Sequence, residues 1–198
     1  MKFDTLWKGD YISIISPEEH PYEVVLEKNG VAILPIVNNK LGIRKELCPP
    51  YLIQDKSGEK FYYTLITGGI EDGDDLTETV FKELKEEAGI DVSSYDILFK
   101  KLDLPYSKSS AARTNVYILD IPNASYTKPV GDGGEYEDVA KTIWVTPTKL
   151  ENIINQNDNI DYLLVSMFYI LKDITRTRFF WSDWYIYNIM GTAENKGK

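Results

Sequence analysis

The stretch "GGIEDGDDLTETVFKELKEEAGIDV", Gly68 to Val92, decides how the rest of the chain is read. Leu76, Val80, Leu84 and Ala88 recur every four residues, the interval that stacks side chains on one face of an α-helix. This spacing predicts a helix from about Leu76 to Ala88. Gly89 follows as a stop, because glycine takes the left-handed conformation that ends helices. On the same helix Glu83, Glu86 and Glu87 stand at i, i+3 and i+4, so three carboxylates share a patch away from the apolar stripe. Two readings fit that patch. It is the solvated face of an ordinary amphipathic helix, in which Glu78 and Lys82 form a favourable i, i+4 pair, or it is a place where carboxylate oxygens hold a hard divalent cation. The preceding Gly68 and Gly69, with an acid-rich loop through Gly73, favour the second reading, since they let a strand turn sharply and bring backbone close to a ligand.

Composition narrows the chemistry. A chain of 198 residues with 43% hydrophobic content can bury one sizeable core. No run approaches the roughly 20 apolar residues of a membrane span. The opening "MKFDTLWKGDY" lacks the basic and apolar regions of a signal peptide, so a cytoplasmic protein is expected. With Cys48 the single cysteine and His20 the single histidine, neither a disulfide framework nor a His/Cys zinc site can be assembled within one chain. Any metal has to be held by oxygen. The net charge of −9 disfavours a general nucleic-acid groove, whereas a small polyanion bound through a cation is compatible with it.

Strands dominate before residue 75. "DYISIIS" and "YEVVLE" alternate and are expected to pair as an N-terminal hairpin across the proline-rich "PEEHP". Asn29-Gly30 and Asn38-Asn39 are hairpin signals, which predict an antiparallel meander through "GVAILPIV" and "KLGIRKEL". "FYYTLIT" is a further strand running into Gly68-Gly69, and "YDILFKKLDL", "ARTNVYILDI" and "AKTIWVT" follow the central helix. Pro147 opens a short helix behind the N-cap Thr146, and "IDYLLVSMFYILKDI" reads as a longer apolar one. The mixture predicts an α/β or α+β sandwich, with helices covering a mixed sheet.

The central segment resembles the Nudix box, whose pattern is Gly, five residues, Glu, seven residues, Arg-Glu-aliphatic-any-Glu-Glu-any-Gly-aliphatic. Here it runs Gly68, five residues, Asp74, seven residues, then Lys82-Glu83-Leu84-Lys85-Glu86-Glu87-Ala88-Gly89-Ile90. The spacing is kept, and two positions depart. Asp74 is one methylene shorter than the usual Glu, and Lys82 lacks the forked guanidinium of the usual Arg. Over roughly Tyr11 to Lys172 the chain is most similar to the ADP-ribose pyrophosphatase branch. The resemblance implies a Nudix-type α/β/α sandwich that cleaves the pyrophosphate of a nucleoside diphosphate linked to another moiety, with Mg²⁺ or Mn²⁺ held by the box glutamates. Carried onto this chain, it implies metal ligation by Glu83, Glu86, Glu87 and the Gly69 carbonyl. Gly68, Gly69 and Arg44 are then expected at the substrate, and Glu135 and Glu137 in "GDGGEYEDV" are candidates for a general base. Tyr106, Arg113 and the aromatics of "EKFYY" either face a base or ribose or belong to the core.

Three segments are expected: an N-terminal hairpin annex over 1–28, the Nudix domain over 29–174, and a C-terminal docking tail over 175–198. The tail carries Phe179, Phe180, Trp181, Trp184, Tyr185 and Tyr187, an aromatic density typical of interface anchors. It packs either on its own domain or on a second subunit. With Asp74 and Lys82 it supports a rival reading, a Nudix-fold structural or assembly protein with weak or no catalysis, docked in a homo-oligomer or a larger, viral or other, particle.

Overall fold

The computed structural model describes residues 2–18, 22–48, 61–71, 73–129, 140–157 and 159–178. The N-terminal sheet has the order β1-β2-β3, formed by β1 (Phe3–Lys8), β2 (Ser13–Pro17) and β3 (Val24–Leu26). β2 and β3 are the hairpin read from the sequence, with Ser13 opposite Leu26 and Ile15 opposite Val24. β1 is an addition to that reading. It is exposed along its length and bulged between Thr5 and Trp7, so it carries no clean two-residue alternation to read. The small sheet is tied to the rest through Val25, whose N–H and carbonyl bond to the Ser109 carbonyl and the Ala111 N–H.

The main sheet is seven-stranded and built on β4 (Gly30–Val37) and β5 (Lys40–Leu47). Asn38 and Asn39 both take positive φ, 49° and 61°, the conformation a tight two-residue hairpin demands and asparagine tolerates. Asn29-Gly30, in contrast, makes no hairpin: β3 and β4 lie in different sheets, and the Asn29 side chain instead accepts from the Arg113 N–H. β4 and β5 pair only next to their turn, through Ile36–Leu41 and Val37–Lys40, and then separate. Into that fork run β6 (Phe61–Thr64), paired with β5, and β7 (Ile66–Gly69), paired with β4. On its other edge β4 pairs in parallel with β10 (Arg113–Asp120), which is antiparallel to β9 (Asp96–Pro105), and β12 (Lys141–Val145) closes the far side against β5. The sheet is therefore mixed, as expected, with β4 parallel to β10; the antiparallel meander expected through β3, β4 and β5 is corrected at its first step, since β3 and β4 do not pair. A separate two-stranded pair joins β8 (Ile90–Val92) to β11 (Ala124–Tyr126).

Helices cover both faces. On one, α1 (Leu76–Ala88) buries Val80, Leu84 and Ala88 against Val31, Ile33 and Ile66. On the other, α2 (Pro147–Gln156) and α3 (Tyr162–Arg178) bring Leu150, Ile153, Leu164 and Phe168 onto Ala32, Leu34, Ile36 and Ile43. Because both faces are covered, Val31 through Val37 of β4 are all buried, and the strand reads as one apolar run. No helix among the described residues is long and apolar enough to cross a membrane.

Candidate active site

The box helix is held at both ends by its own residues. Asp75 is the N-cap and accepts from the N–H groups of Thr77 at 2.8 Å and Glu78 at 3.1 Å. Gly89 caps the other end at φ 63°, and a Cβ there would come 2.4 Å from the Thr127 carbonyl oxygen, so both conformation and space require glycine. In the loop before it Asp74 closes a tight turn: its carboxylate accepts from the Glu71 N–H, and its own N–H donates to the Glu71 carbonyl. Lys28, at the edge of the site, pairs with Glu71.

The three box carboxylates leave the helix towards different partners. Glu83 is 9% exposed and lies over β7, where a Cβ on Gly68 would come 2.2 Å from its Cδ and Oε1. Glu86 pairs with the exposed Lys82 at 3.8 Å, so the lysine finds its acid one turn ahead. Glu87 turns inward. Its Oε2 accepts from the Thr67 N–H at 3.1 Å, and its Oε1 lies 3.3 Å from Arg44 Nη2. Burial pushes its carboxyl up to about 8, opposed by Arg44 and the Thr67 N–H and reinforced by Glu46 and Glu83. The shared patch expected from helix spacing is thus divided, and among the described residues no three acidic, His or Cys side chains converge on one point.

The residues present nonetheless fit a hard divalent cation. Their donors are all carboxylate or carbonyl oxygens, the type a hard divalent cation takes, and Glu87, whose carboxyl burial pushes up to about 8, would give up its proton on ligating one. Gly69 is exposed, with Lys28 Cδ at 3.9 Å the only contact a Cβ would make, which leaves its backbone approachable.

Arg44 is 5% exposed and faces inward from β5. Besides Glu87 Oε1, it reaches the Glu87 carbonyl with Nη1 at 3.4 Å and Glu46 Oε2 with Nε at 3.5 Å. Thr142, its cross-strand neighbour on β12, donates to the same Glu87 carbonyl at 2.7 Å. Sequence reading missed Thr142, Glu46 and Thr67, because nothing local distinguishes them; the pairing of β5 with β12 brings Thr142 beside Arg44, and the pairing of β7 with β4 places Thr67 under the helix. Glu135, Glu137, His20 and the aromatic segment after Arg178 lie outside the described residues.

Beside Gly68 and Gly69, where the fork of the main sheet opens, is a cavity of about 350 Å³. Tyr62, Thr64, Tyr106 and Asp161 line its wall. Thr64 donates to Asp161 Oδ2 at 3.0 Å, and Tyr62 donates to Glu46 Oε1 at 2.9 Å. Burial first, and the Glu46 carboxylate second, hold the Tyr62 phenol well above its ordinary value, so it remains a donor. Of the aromatics singled out in the sequence, Tyr62 and Tyr106 reach this cavity, while Arg113 is not among its lining residues.

Fold and site together define an α/β/α sandwich that presents a glycine-rich strand end and an acidic helix to a polar cleft. The family model described as NUDIX domain matches residues 28–165, more than half of the chain, and the chain belongs to that family, whose reaction class is pyrophosphate hydrolysis. Among solved structures it is similar to one titled "Crystal structure of ADP compounds hydrolase", with a TM-score of 0.67 and 18% identity over 90% of this chain and 94% of that one. At that identity the likeness speaks for the fold. No curated protein matches the chain.

Proposed function

We propose that this chain hydrolyses the pyrophosphate linkage of a nucleoside diphosphate joined to a second moiety, ADP-ribose being the type. The observation that carries the proposal is the placement of the cavity: strand β7 lines it at Thr67, Gly68 and Gly69, and two of these residues meet the box carboxylates, Thr67 through its N–H to Glu87 and Gly68 by its close approach to Glu83. A substrate whose nucleoside part enters the cavity therefore has its diphosphate at the acidic helix. About 350 Å³ falls at the small end of the range for ligand sites.

Glu83, Glu86 and Glu87, with the Gly69 carbonyl, would hold Mg²⁺ or Mn²⁺. Such an ion neutralises phosphate charge and makes bound water more acidic. The chain itself supplies orientation. Gly68 leaves room for the Glu83 carboxylate, and the Thr67 N–H and Arg44 fix the two oxygens of Glu87. Tyr62, Thr64 and Asp161 offer donors and acceptors suited to ribose hydroxyls. Glu135 and Glu137 remain the proposed general bases.

The rival reading, an assembly protein, is favoured by a separate observation, the exposure of Phe3, Leu6 and Trp7 on β1 and of Tyr11 in the connection to β2. A screen of nucleoside diphosphate derivatives with Mg²⁺ and Mn²⁺, read by phosphate release and nucleotide chromatography, separates the two. Glu87→Gln is expected to lower turnover by about 10² or more, as loss of a charge-stabilising group does. Wild-type-like turnover in that variant would sink the assignment.

A further inference from the structure

Arg44 invites the obvious assignment of a phosphate grip, but its nitrogens already face groups of the protein. The side chain is 5% exposed, and all three guanidinium nitrogens point at protein carboxylates or at a carbonyl. Its Nε has no hydrogen-bond partner of normal geometry among the described residues, resting 3.5 Å from Glu46 Oε2. A buried donor left short is a cost, tolerated where the rest of the group is committed elsewhere. Here the commitment is to one residue: Nη1 and Nη2 span the carbonyl and the carboxylate of Glu87, the last glutamate of the box.

We propose that Arg44 is a positioning residue, which acts through Glu87 and not on the substrate, with Thr142 as its partner in the task. Glu87 sits at the C-terminal end of α1, where the last carbonyls lack partners within the helix. Thr142 and Arg44 both donate to the Glu87 carbonyl, which anchors the backbone of the residue, and Arg44 with the Thr67 N–H fixes the two carboxylate oxygens. A carboxylate held from both of its oxygens has its rotamer chosen before any ligand arrives, and that is how outer partners tune a ligating group. The planar fork matters here, because a lysine ammonium cannot reach carbonyl and carboxylate together with the same geometry. Through Glu46, which accepts from Tyr62, the same guanidinium also touches the wall of the cavity.

This inference rests on the hydrolase reading above, and its test uses the full chain with two variants and Mn²⁺ alone as the binding probe. Arg44→Lys is expected to weaken Mn²⁺ binding, measured by electron paramagnetic resonance, and to lower kcat, each by about tenfold or more, the cost usual for losing an outer partner of a ligand. KM should stay within about twofold of the unmodified value, since on this account Arg44 makes no substrate contact. Thr142→Val leaves the charge in place and removes one hydroxyl, so both effects should recur in the same direction at about threefold. It also keeps the inference open to refutation should Arg44→Lys fold poorly. A rise in KM of tenfold or more with kcat and Mn²⁺ binding unchanged would restore the phosphate grip and overturn the inference, as would two variants indistinguishable from the unmodified protein. Failure of the hydrolase reading looks different: the unmodified chain itself would be inert towards every derivative, and this inference would fall with it.

Discussion

Gly68 and Glu83 show how narrowly single residues are fixed at the site. A methyl group on Gly68 would come 2.2 Å from Glu83 Cδ and Oε1, so it is the end of the glutamate, a flexible group, that has to move. Gly68→Ala is therefore expected to leave the melting temperature nearly unchanged and to lower turnover by roughly a hundredfold, the effect of misplacing a catalytic group by about 1 Å. A drop in stability with turnover intact would contradict this. Glu87 supplies a second test. Its carboxyl, raised from an ordinary 4.5 to about 8, keeps its proton in the folded chain over a range where the unfolded chain has lost it. The folded state then binds more protons, so the metal-free protein should lose stability as pH rises from about 4.5 to about 8 and level off above. A divalent cation needs the ionised carboxylate, and added Mg²⁺ should raise the melting temperature more at pH 8.5 than at pH 5. An Mg²⁺ effect independent of pH would exclude Glu87 from the ligand set. The glycine and the glutamates were legible in the sequence from their spacing. Which glutamate is buried was not, because burial depends on the strand that α1 happens to cover.

At the scale of elements, the helix α1 was the most legible part of the chain and β1, β8 and β11 the least. Thirteen residues with a four-residue apolar period, Asp75 ahead and Gly89 behind leave little freedom in the assignment. Three-residue strands such as Ile90–Val92 and Ala124–Tyr126 carry no period at all, and only their mutual pairing defines them. The Asp75 cap gives a pH-dependent prediction. The N–H groups of Glu78 and Thr77 hold its carboxylate below the ordinary 3.8, so its contribution is present above that pH and is lost as pH falls through the lowered value. Asp75→Ala should melt at a lower temperature than the parent at pH 7, with the gap narrowing below pH 3.8; a gap that widens in acid would refute the cap's role. Lys82, one of the two departures from the family pattern, has its side chain 65% exposed and paired with Glu86. Lys82→Arg should preserve or raise turnover, and a loss of tenfold or more would mean that the lysine is specifically accommodated.

Across the whole molecule, the proposed function depends on the fork between β4 and β5. Had the two strands stayed paired along their length, β6 and β7 could not enter, and neither the cavity nor the approach of Gly68 to Glu83 would exist. Assembly is the remaining question at this scale. The six large aromatics between Phe179 and Tyr187 lie outside the described residues. Each gains roughly 1.5 to 3 kcal/mol on full burial, enough together to offset the ordering of about a dozen residues. Ending the chain after Arg178 is expected to leave a folded domain of smaller assembly mass in light scattering, and a truncation unchanged in both mass and melting temperature would refute docking. The sequence by itself determined what is local. The box helix follows from its period and caps, the Asn38-Asn39 turn from the tolerance of asparagine for positive φ, and the restriction to oxygen ligands from one cysteine and one histidine. Only the tertiary structure decided that β4 lies parallel to β10, that Asn29-Gly30 is a passage between sheets, and that Arg44 and Thr142 meet at Glu87. The reason is physical: a residue's period and caps act over one or two turns, whereas strand pairing joins positions far apart in the chain through backbone groups that every residue carries alike.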